Sequence, residues 1–75
     1  MTYFTNVGPA SGALRYYAAP GAIDVLKSRD DSTRIGMALP VRNDTAGVTL
    51  WRLTVHGAEL PGLYVVVNRE FAPAQ

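Results

Sequence analysis

Residues 33–56 read TRIGMALPVRNDTAGVTLWRLTVH, and this stretch carries the strongest indication of the fold. Every second residue in its first half is a large apolar one: Ile35, Met37, Leu39 and Val41. In its second half Trp51, Leu53 and Val55 repeat the pattern. A period of two is typical of a strand with one face against a core. The turn-forming residues 43–47, NDTAG, lie between the halves, so the stretch predicts a β-hairpin with a five-residue loop.

The same alternation predicts which side chains of this hairpin are buried. In the first strand we expect the odd-numbered apolar set to face the core, and in the second strand the face of Trp51, Leu53 and Val55. Arg52, Thr54 and His56 then occupy the outer face of the second strand. Pro40 has no backbone N–H to donate to a ladder, so that end of the first strand is expected at a sheet edge or a bulge.

Further β-prone runs lie on both sides of the hairpin, separated by clusters of Gly, Pro, Ser and Asp. They cover residues 2–7, 13–17, 22–26 and 63–71. Short runs at this spacing predict an all-β fold, a small antiparallel barrel or sandwich of five or six short strands. We expect one domain over residues 1–75, in which residues 1–8 form either an N-terminal strand or an arm that pairs with a neighbouring molecule. Residues 72–75 are expected as a short tail.

The size of the chain limits how it can be stabilised. A chain of 75 residues buries only about 60% of the surface that its unfolded form exposes, so its core is marginal. It has no cysteine for disulfides and one histidine, His56, which excludes a Cys/His zinc site. A protein partner or self-association is therefore the expected source of additional stability.

The charge pattern favours a protein partner over nucleic acid or a membrane. Seven basic and six acidic residues leave a formal charge of +1, whereas duplex-binding proteins are strongly basic. Six of the seven cations are arginines, a residue enriched at protein interfaces, although a GC-rich genome would give the same bias. The sequence begins without a basic-apolar leader and has no apolar run of about 20 residues. We expect a soluble protein, cytoplasmic or assembled into a particle, and not secreted by a signal peptide.

No pattern in the sequence indicates catalysis, a metal or a cofactor. Asp30 and Asp31 lie side by side between arginines, as in a solvated turn, without a third acidic ligand nearby to complete an oxygen cage. His56 has neither a cysteine nucleophile nor a G-x-S-x-G serine to activate. The glycines form no dinucleotide or P-loop motif. We expect no enzymatic activity, no cofactor and no small-molecule substrate.

Aromatic and arginine side chains are the candidates for a binding surface. The residues predicted for a protein interface are Tyr3, Phe4, Arg15, Tyr16, Tyr17, Arg52 and Tyr64. With Trp51 and Arg69, part of this set could instead form a stacking platform for single-stranded nucleic acid. Interspersed acidic residues and the near-neutral charge favour protein. A third interpretation places Trp51 and Tyr64 in the core.

These observations predict a non-enzymatic structural or assembly protein. Its most concrete form is a minor or decorating (cement) subunit docked on a virus capsid or a similar protein lattice, by analogy between classes of protein. One alternative is a small inhibitor or adaptor that occludes a larger enzyme complex. Another is a barrel that binds single-stranded nucleic acid.

Overall fold

The computed structural model describes residues 2–5 and 22–74, and these residues form seven β-strands and no helix. The strands are β1 (Tyr3–Phe4), β2 (Ile23–Leu26), β3 (Arg34–Asn43), β4 (Thr49–Val55), β5 (Ala58–Glu59), β6 (Tyr64–Val67) and β7 (Glu70–Pro73). The strand predicted over residues 13–17, and the turns predicted on either side of it, lie outside the described residues.

Six of the strands close into an antiparallel barrel. Their order is β3-β2-β1-β7-β6-β4, and the pairing of β3 with β4 closes the ring. The two residues of β5 pair with the end of β4 and lie outside the ring. The predicted all-β fold is therefore confirmed, and between barrel and sandwich it is the barrel. Two junctions of the ring consist of one residue pair each among the described residues, Phe4 with Leu26 and Trp51 with Tyr64.

The predicted hairpin is confirmed as β3 and β4. Its loop is held by Asp44, whose Oδ1 accepts hydrogen bonds from the backbone N–H groups of Ala46 and Val48, both at 2.9 Å. The register shifts between Pro40 and Arg42, so the strand is irregular beside the proline, as its missing N–H predicts. An irregularity of this kind increases local twist and helps a sheet to curve into a barrel.

The buried face predicted for β4 is confirmed. On β3 the predicted face is wrong for Met37, Leu39 and Val41, whereas Ile35 of the same set is half-buried and packs against the core. Trp51, Leu53 and Val55 of β4 are at most 6% exposed. On β3 the buried residue is Ala38, whereas Met37 and Leu39 on either side of it are exposed.

The register explains why small residues of β3 face inward. Residues directly opposite each other on antiparallel strands share a face, and Gly36 pairs with Val55 while Ala38 pairs with Leu53. The large residues of β4 fill the interior beside these small ones. Gly36 also lies so close to β4 that a methyl group there would collide with the carbonyl oxygen of Thr54.

The segment predicted as one strand over residues 63–71 is instead the β6–β7 hairpin. Asn68 and Arg69 form its two-residue turn, and both have positive φ, 53° and 69°. This backbone matches the right-handed twist of paired strands, and asparagine is one of the residues that adopt it most readily. The end of the chain differs as well, because β7 continues through Pro73, which pairs with Tyr64. Residues 72 and 73, expected in a tail, therefore belong to the barrel.

A second two-residue turn joins β4 to β5. His56 and Gly57 have φ values of 50° and 79°, and Val55 pairs with Ala58 across them. From the sequence, only turn-forming residues were expected between the hairpin and the run over residues 63–71.

The thinnest wall of the barrel is β1, which pairs with β2 on one side and with β7 on the other. Of the two alternatives for the N-terminal segment, Tyr3–Phe4 is a strand of the barrel itself. The backbone N–H of Thr5 donates to the carbonyl oxygen of Arg69 at 3.0 Å. The guanidinium of Arg29 reaches from the β2–β3 connection to Glu70 of β7, with 2.9 Å between Nη2 and Oε2.

The interior of the barrel is apolar. Its main cluster consists of Ile23, Val25, Ala38, Trp51, Leu53, Val55, Tyr64 and Phe71. Trp51 and Phe71 meet edge to face, with ring centroids 6.4 Å apart and planes at 71°. Among the described residues, no buried side-chain nitrogen or oxygen lacks a hydrogen-bond partner. The interior therefore presents no unsatisfied polar group that a bound ligand would complete.

Candidate protein-interaction surface

The outer face of β3 carries three exposed apolar side chains, Met37, Leu39 and Val41, which we call the β3 stripe. Their exposed fractions are 37%, 52% and 48%. Met37 and Leu39 are exposed because their neighbours Gly36 and Ala38 take the inward positions, and successive side chains of a strand point to opposite faces. Val41 lies at the register shift beside Pro40. The stripe therefore consists of residues from the alternating apolar set that the sequence pattern predicts to face the core.

Other exposed apolar residues lie beside the stripe or apart from it. Val48 is 42% exposed at the end of the loop in the same hairpin. Val67 is 61% exposed but precedes the turn of the β6–β7 hairpin. Single exposed aliphatic residues are normal on protein surfaces, whereas a contiguous group rimmed by polar residues is typical of an interaction site. The β3 stripe is such a group, and Val67 is a suitable reference outside it.

Charged side chains border the stripe on both neighbouring strands. On the β2 side Arg34 Nε lies 3.1 Å from Asp24 Oδ1. On the β4 side Arg52 Nε lies 3.8 Å from Glu59 Oε2. Arg42, at the far end of the stripe, is exposed and forms no ion pair within residues 2–5 and 22–74. The surface is thus an apolar strip with a polar rim. Protein interfaces have the same arrangement, an apolar centre surrounded by polar residues.

A shallow groove continues the stripe at its Met37 end. Arg34, Ile35, Gly36, Met37, Thr54 and Gly57 line it. It is open to solvent, and the His56–Gly57 turn borders it. Gly36 has no side chain, which allows β3 and β4 to lie close together at the floor of the groove. The groove extends the apolar surface and is not an enclosed ligand site.

The structure separates the interface residues predicted from sequence. Arg15, Tyr16 and Tyr17 lie outside the described residues. Tyr3 and Phe4 are half-buried in β1. Tyr64 is only 9% exposed, and its ring meets that of Tyr3 edge to face at 6.4 Å, with planes at 83°. Tyr3 and Tyr64 therefore lie together, as parts of the barrel wall and core.

Arg52 has an intramolecular role in the described part of the chain. Its Nη1 donates to the carbonyl oxygen of Gly62 at 3.1 Å, in addition to the ion pair with Glu59. These contacts connect β4 to the segment between β5 and β6. Arg52 lies opposite Leu39 across the β3–β4 ladder, so among the predicted interface residues that the structure describes it is the one that borders the β3 stripe.

Two aromatic rings predicted for the nucleic-acid platform, those of Trp51 and Tyr64, are buried. Trp51 is 3% exposed and packs against Phe71, and Tyr64 is in the same core cluster. A base needs access to the face of an aromatic ring, which these two rings do not offer. The interpretation that placed Trp51 and Tyr64 in the core is the one that agrees with the structure. Arg69 is bound to β1, with its Nε 3.4 Å from the carbonyl oxygen of Thr5.

The acidic pair Asp30–Asp31 lies in the connection between β2 and β3. Asp31 Oδ1 accepts hydrogen bonds from the hydroxyl and the backbone N–H of Thr33, at 2.6 and 3.0 Å. These bonds lower the pKa of Asp31, because they stabilise its charged form, and Lys27 contributes to the same shift. Within the described residues, no three His, Cys, Asp or Glu side chains are grouped as a metal ion would require. Asp31 is therefore a turn-stabilising carboxylate.

Comparison with protein-family models, with curated proteins and with solved structures finds no match to this chain. In the part of the chain that the structure describes, no helix has the length and hydropathy needed to span a bilayer.

The alternating pattern of the sequence identified the residues of the β3 stripe, but it predicted that they face the core. A signal was available, since the alternate positions 36, 38 and 40 are glycine, alanine and proline. Such small residues leave an interior to the large residues of a neighbouring strand. What the pattern could not supply is the register that places Gly36 and Ala38 opposite Val55 and Leu53.

Proposed function

We propose that this chain is a non-enzymatic assembly subunit that acts through protein–protein contact on the outer face of β3. The observation that carries the proposal is the β3 stripe, because three large apolar side chains of the strand are exposed to water while the smaller Ala38 is buried. Exposing apolar surface costs about 25 cal/mol per Å², which a protein contact recovers.

The concrete form of the proposal is a decorating subunit of a virus capsid or a similar protein lattice. Such a subunit needs a small, self-contained fold and one surface that binds protein. A closed barrel meets the first requirement, because its six strands pair with one another around the ring. The polar rim formed by Asp24, Arg34, Arg52 and Glu59 supports the second, since it surrounds the apolar strip with charges of both signs. The capsid itself enters by analogy between classes of protein.

The test is the solution mass of the purified chain over a wide concentration range, with the melting temperature of each sample. A subunit that associates through the stripe gains mass with concentration, and its melting temperature rises because association stabilises the folded form by mass action. In the variant Leu39→Ser both trends should disappear.

The matched control is Val67→Ser, which removes an equally exposed aliphatic side chain from the other hairpin and should leave both trends unchanged. A chain that remains an 8.1 kDa monomer with a constant melting temperature up to about 1 mM would contradict self-association through the stripe. That result would favour the inhibitor or adaptor, which occupies a single site on a larger complex.

A further inference from the structure

We infer that the partner of the β3 stripe is a second copy of this chain, docked about a two-fold axis through Leu39. This inference rests on the proposed function and specifies the partner and geometry of the same surface. It follows from how charges are distributed along the stripe.

Acidic groups lie at one end of the stripe. The register pairs Asp24 with Met37, Met37 with Thr54, and Thr54 with Glu59, so these four residues form one row across β2, β3, β4 and β5. Asp24 is exposed directly beside the outward Met37, and Glu59 is exposed beyond Thr54. Each carboxylate forms an ion pair within the chain, Asp24 with Arg34 and Glu59 with Arg52, so this end of the stripe offers acceptor oxygens that are already partnered by one guanidinium each.

A cationic group lies at the other end. Arg42 follows Val41 and pairs with Leu50, and no acidic side chain of the described residues forms an ion pair with it. Asp44, the nearest carboxylate in sequence, uses Oδ1 to accept the two N–H groups of its own loop. Leu39 lies between the two ends, about 7 Å from Met37 at roughly 3.3 Å per residue, and the register shift beside Pro40 lies between Leu39 and Arg42.

A two-fold rotation about Leu39 exchanges these ends. It places Met37 of one copy over Val41 of the other, and Leu39 against Leu39. The same rotation brings Arg42 of each copy to the acidic row of its partner. Asp24 is the nearer carboxylate, since it lies one strand from β3, about 4.8 Å, whereas Glu59 lies two strands away. A contact of this kind is isologous, and both ion pairs form at once.

Asp24 can accept a second guanidinium in this arrangement. Its Oδ1 is 3.1 Å from Arg34 Nε within the chain. An ionised carboxylate has about four acceptor positions on two oxygens, so the ion pair with Arg34 leaves room for Arg42 of the other copy.

The size of the surface sets the strength expected of the contact. Exposed apolar area in the stripe is on the order of a few hundred Å² per copy, below the roughly 800 Å² per partner of a standard interface. We therefore expect a weak dimer with a dissociation constant in the micromolar range or above, which forms at high local concentration. Because the contact is weak, the two symmetric ion pairs should contribute a measurable share of its affinity and its specificity.

The test is a charge-reversal pair analysed by light scattering and sedimentation between about 10 μM and 1 mM. Arg42→Glu and Asp24→Lys should each weaken the dimer by about tenfold or more, because each places like charges in contact twice. Mixed in equal amounts, the two variants should form a dimer of about wild-type affinity, since Glu at position 42 then meets Lys at position 24, and the remaining Arg42 meets the remaining Asp24.

Two matched controls change the net charge equally away from the stripe. Lys27→Glu matches the first variant and Asp30→Lys the second, and both side chains are exposed in the β2–β3 connection. Neither control should alter the dimer. Circular dichroism melts at low concentration establish that each variant folds, so that lost association is not lost folding.

The outcomes separate the inference from the proposed function. Recovery in the mixture, with weak association of each variant alone, supports the two-fold dimer. If wild-type association depends on Leu39 but the charge reversals have no effect, or the mixture does not recover, the two-fold geometry is wrong and the assembly function stands. A wild-type chain that remains monomeric throughout overturns the two-fold dimer and self-association through the stripe.

Discussion

The strands β3 and β4 pair along most of their length but use their side chains in opposite ways. β4 buries its large residues Trp51, Leu53 and Val55 and leaves polar ones outside. β3 buries Ala38 and leaves Met37 and Leu39 outside. Apolar alternation therefore identifies a strand and its two faces, whereas the volume available inside a closed barrel determines which face is buried.

The largest expected effect comes from truncating the same residue type on the two strands. Leu53→Ala should lower the free energy of unfolding by about 2–5 kcal/mol, because Leu53 is fully buried and its removal leaves a cavity. Leu39→Ala should change it by no more than about 0.5 kcal/mol, since Leu39 is 52% exposed. Urea unfolding at low protein concentration measures both values.

A milder truncation at position 53 guards against loss of folding. The whole domain is expected to have a stability of only about 5–15 kcal/mol, so Leu53→Ala could be largely unfolded. Leu53→Val then provides a milder truncation at the same site. Equal losses for the changes at 53 and 39 would contradict the assignment of inner and outer faces.

The next effect tests why β3 presents small residues to the interior. Gly36→Ala should cost about 1–3 kcal/mol, because the added methyl group collides with the carbonyl oxygen of Thr54 and forces β3 and β4 apart. Gly47→Ala is an instructive comparison, since Gly47 has open space around it but a φ of 85°. Its cost arises from backbone conformation, so nearby side chains should show no altered packing by NMR. If Gly36→Ala proved neutral, close packing of the two strands would not explain the small inward residues.

Sequence alone could predict much of this architecture. The β3–β4 hairpin, its loop within residues 43–47 and the buried face of β4 follow from alternation and turn chemistry that are local to the chain. The β6–β7 turn was missed because Arg69 occupies a position with positive φ where glycine is the usual signal. The inward face of β3 was missed because it depends on a register between strands, which a one-dimensional pattern does not contain.

The candidate surface shows the same limit. Aromatic and arginine residues attract attention in a sequence because interfaces are rich in them, yet Tyr64 and Trp51 fill the core. The β3 stripe consists of Met, Leu and Val, which predict burial in any sequence-based scheme. Only the exposure of these residues in the folded barrel distinguishes them from core residues.

The smallest effect concerns the connection that leads into β3. The pKa of Asp31 lies below its ordinary value, mainly because the Thr33 hydroxyl donates to its carboxylate. A carboxyl group with a lowered pKa in the folded state contributes stability above its unfolded pKa of about 4, and this contribution is lost as the pH falls through the folded value. Melting temperatures of wild type and Asp31→Asn should therefore differ most near neutral pH and converge in acid.

The variant Asp30→Asn provides the matched control for this effect, because Asp30 is exposed and adjacent but accepts none of these bonds. It should follow the wild-type pH profile more closely than Asp31→Asn does. Identical profiles for both variants would show that the Asp31–Thr33 bonds do not stabilise the entry to β3.

The most direct test of the central claim uses the absence of cysteine from this chain. Ala38→Cys and Leu39→Cys each introduce a single thiol at neighbouring positions of β3, and its rate of reaction with a thiol reagent reports its accessibility in the native state. The thiol introduced at position 39 should react almost as fast as in denaturant, whereas at position 38 it should react only through unfolding, because Ala38 is 0% exposed. Protection at position 39 together with rapid reaction at position 38 would contradict the account, since it would place the apolar stripe inside the barrel.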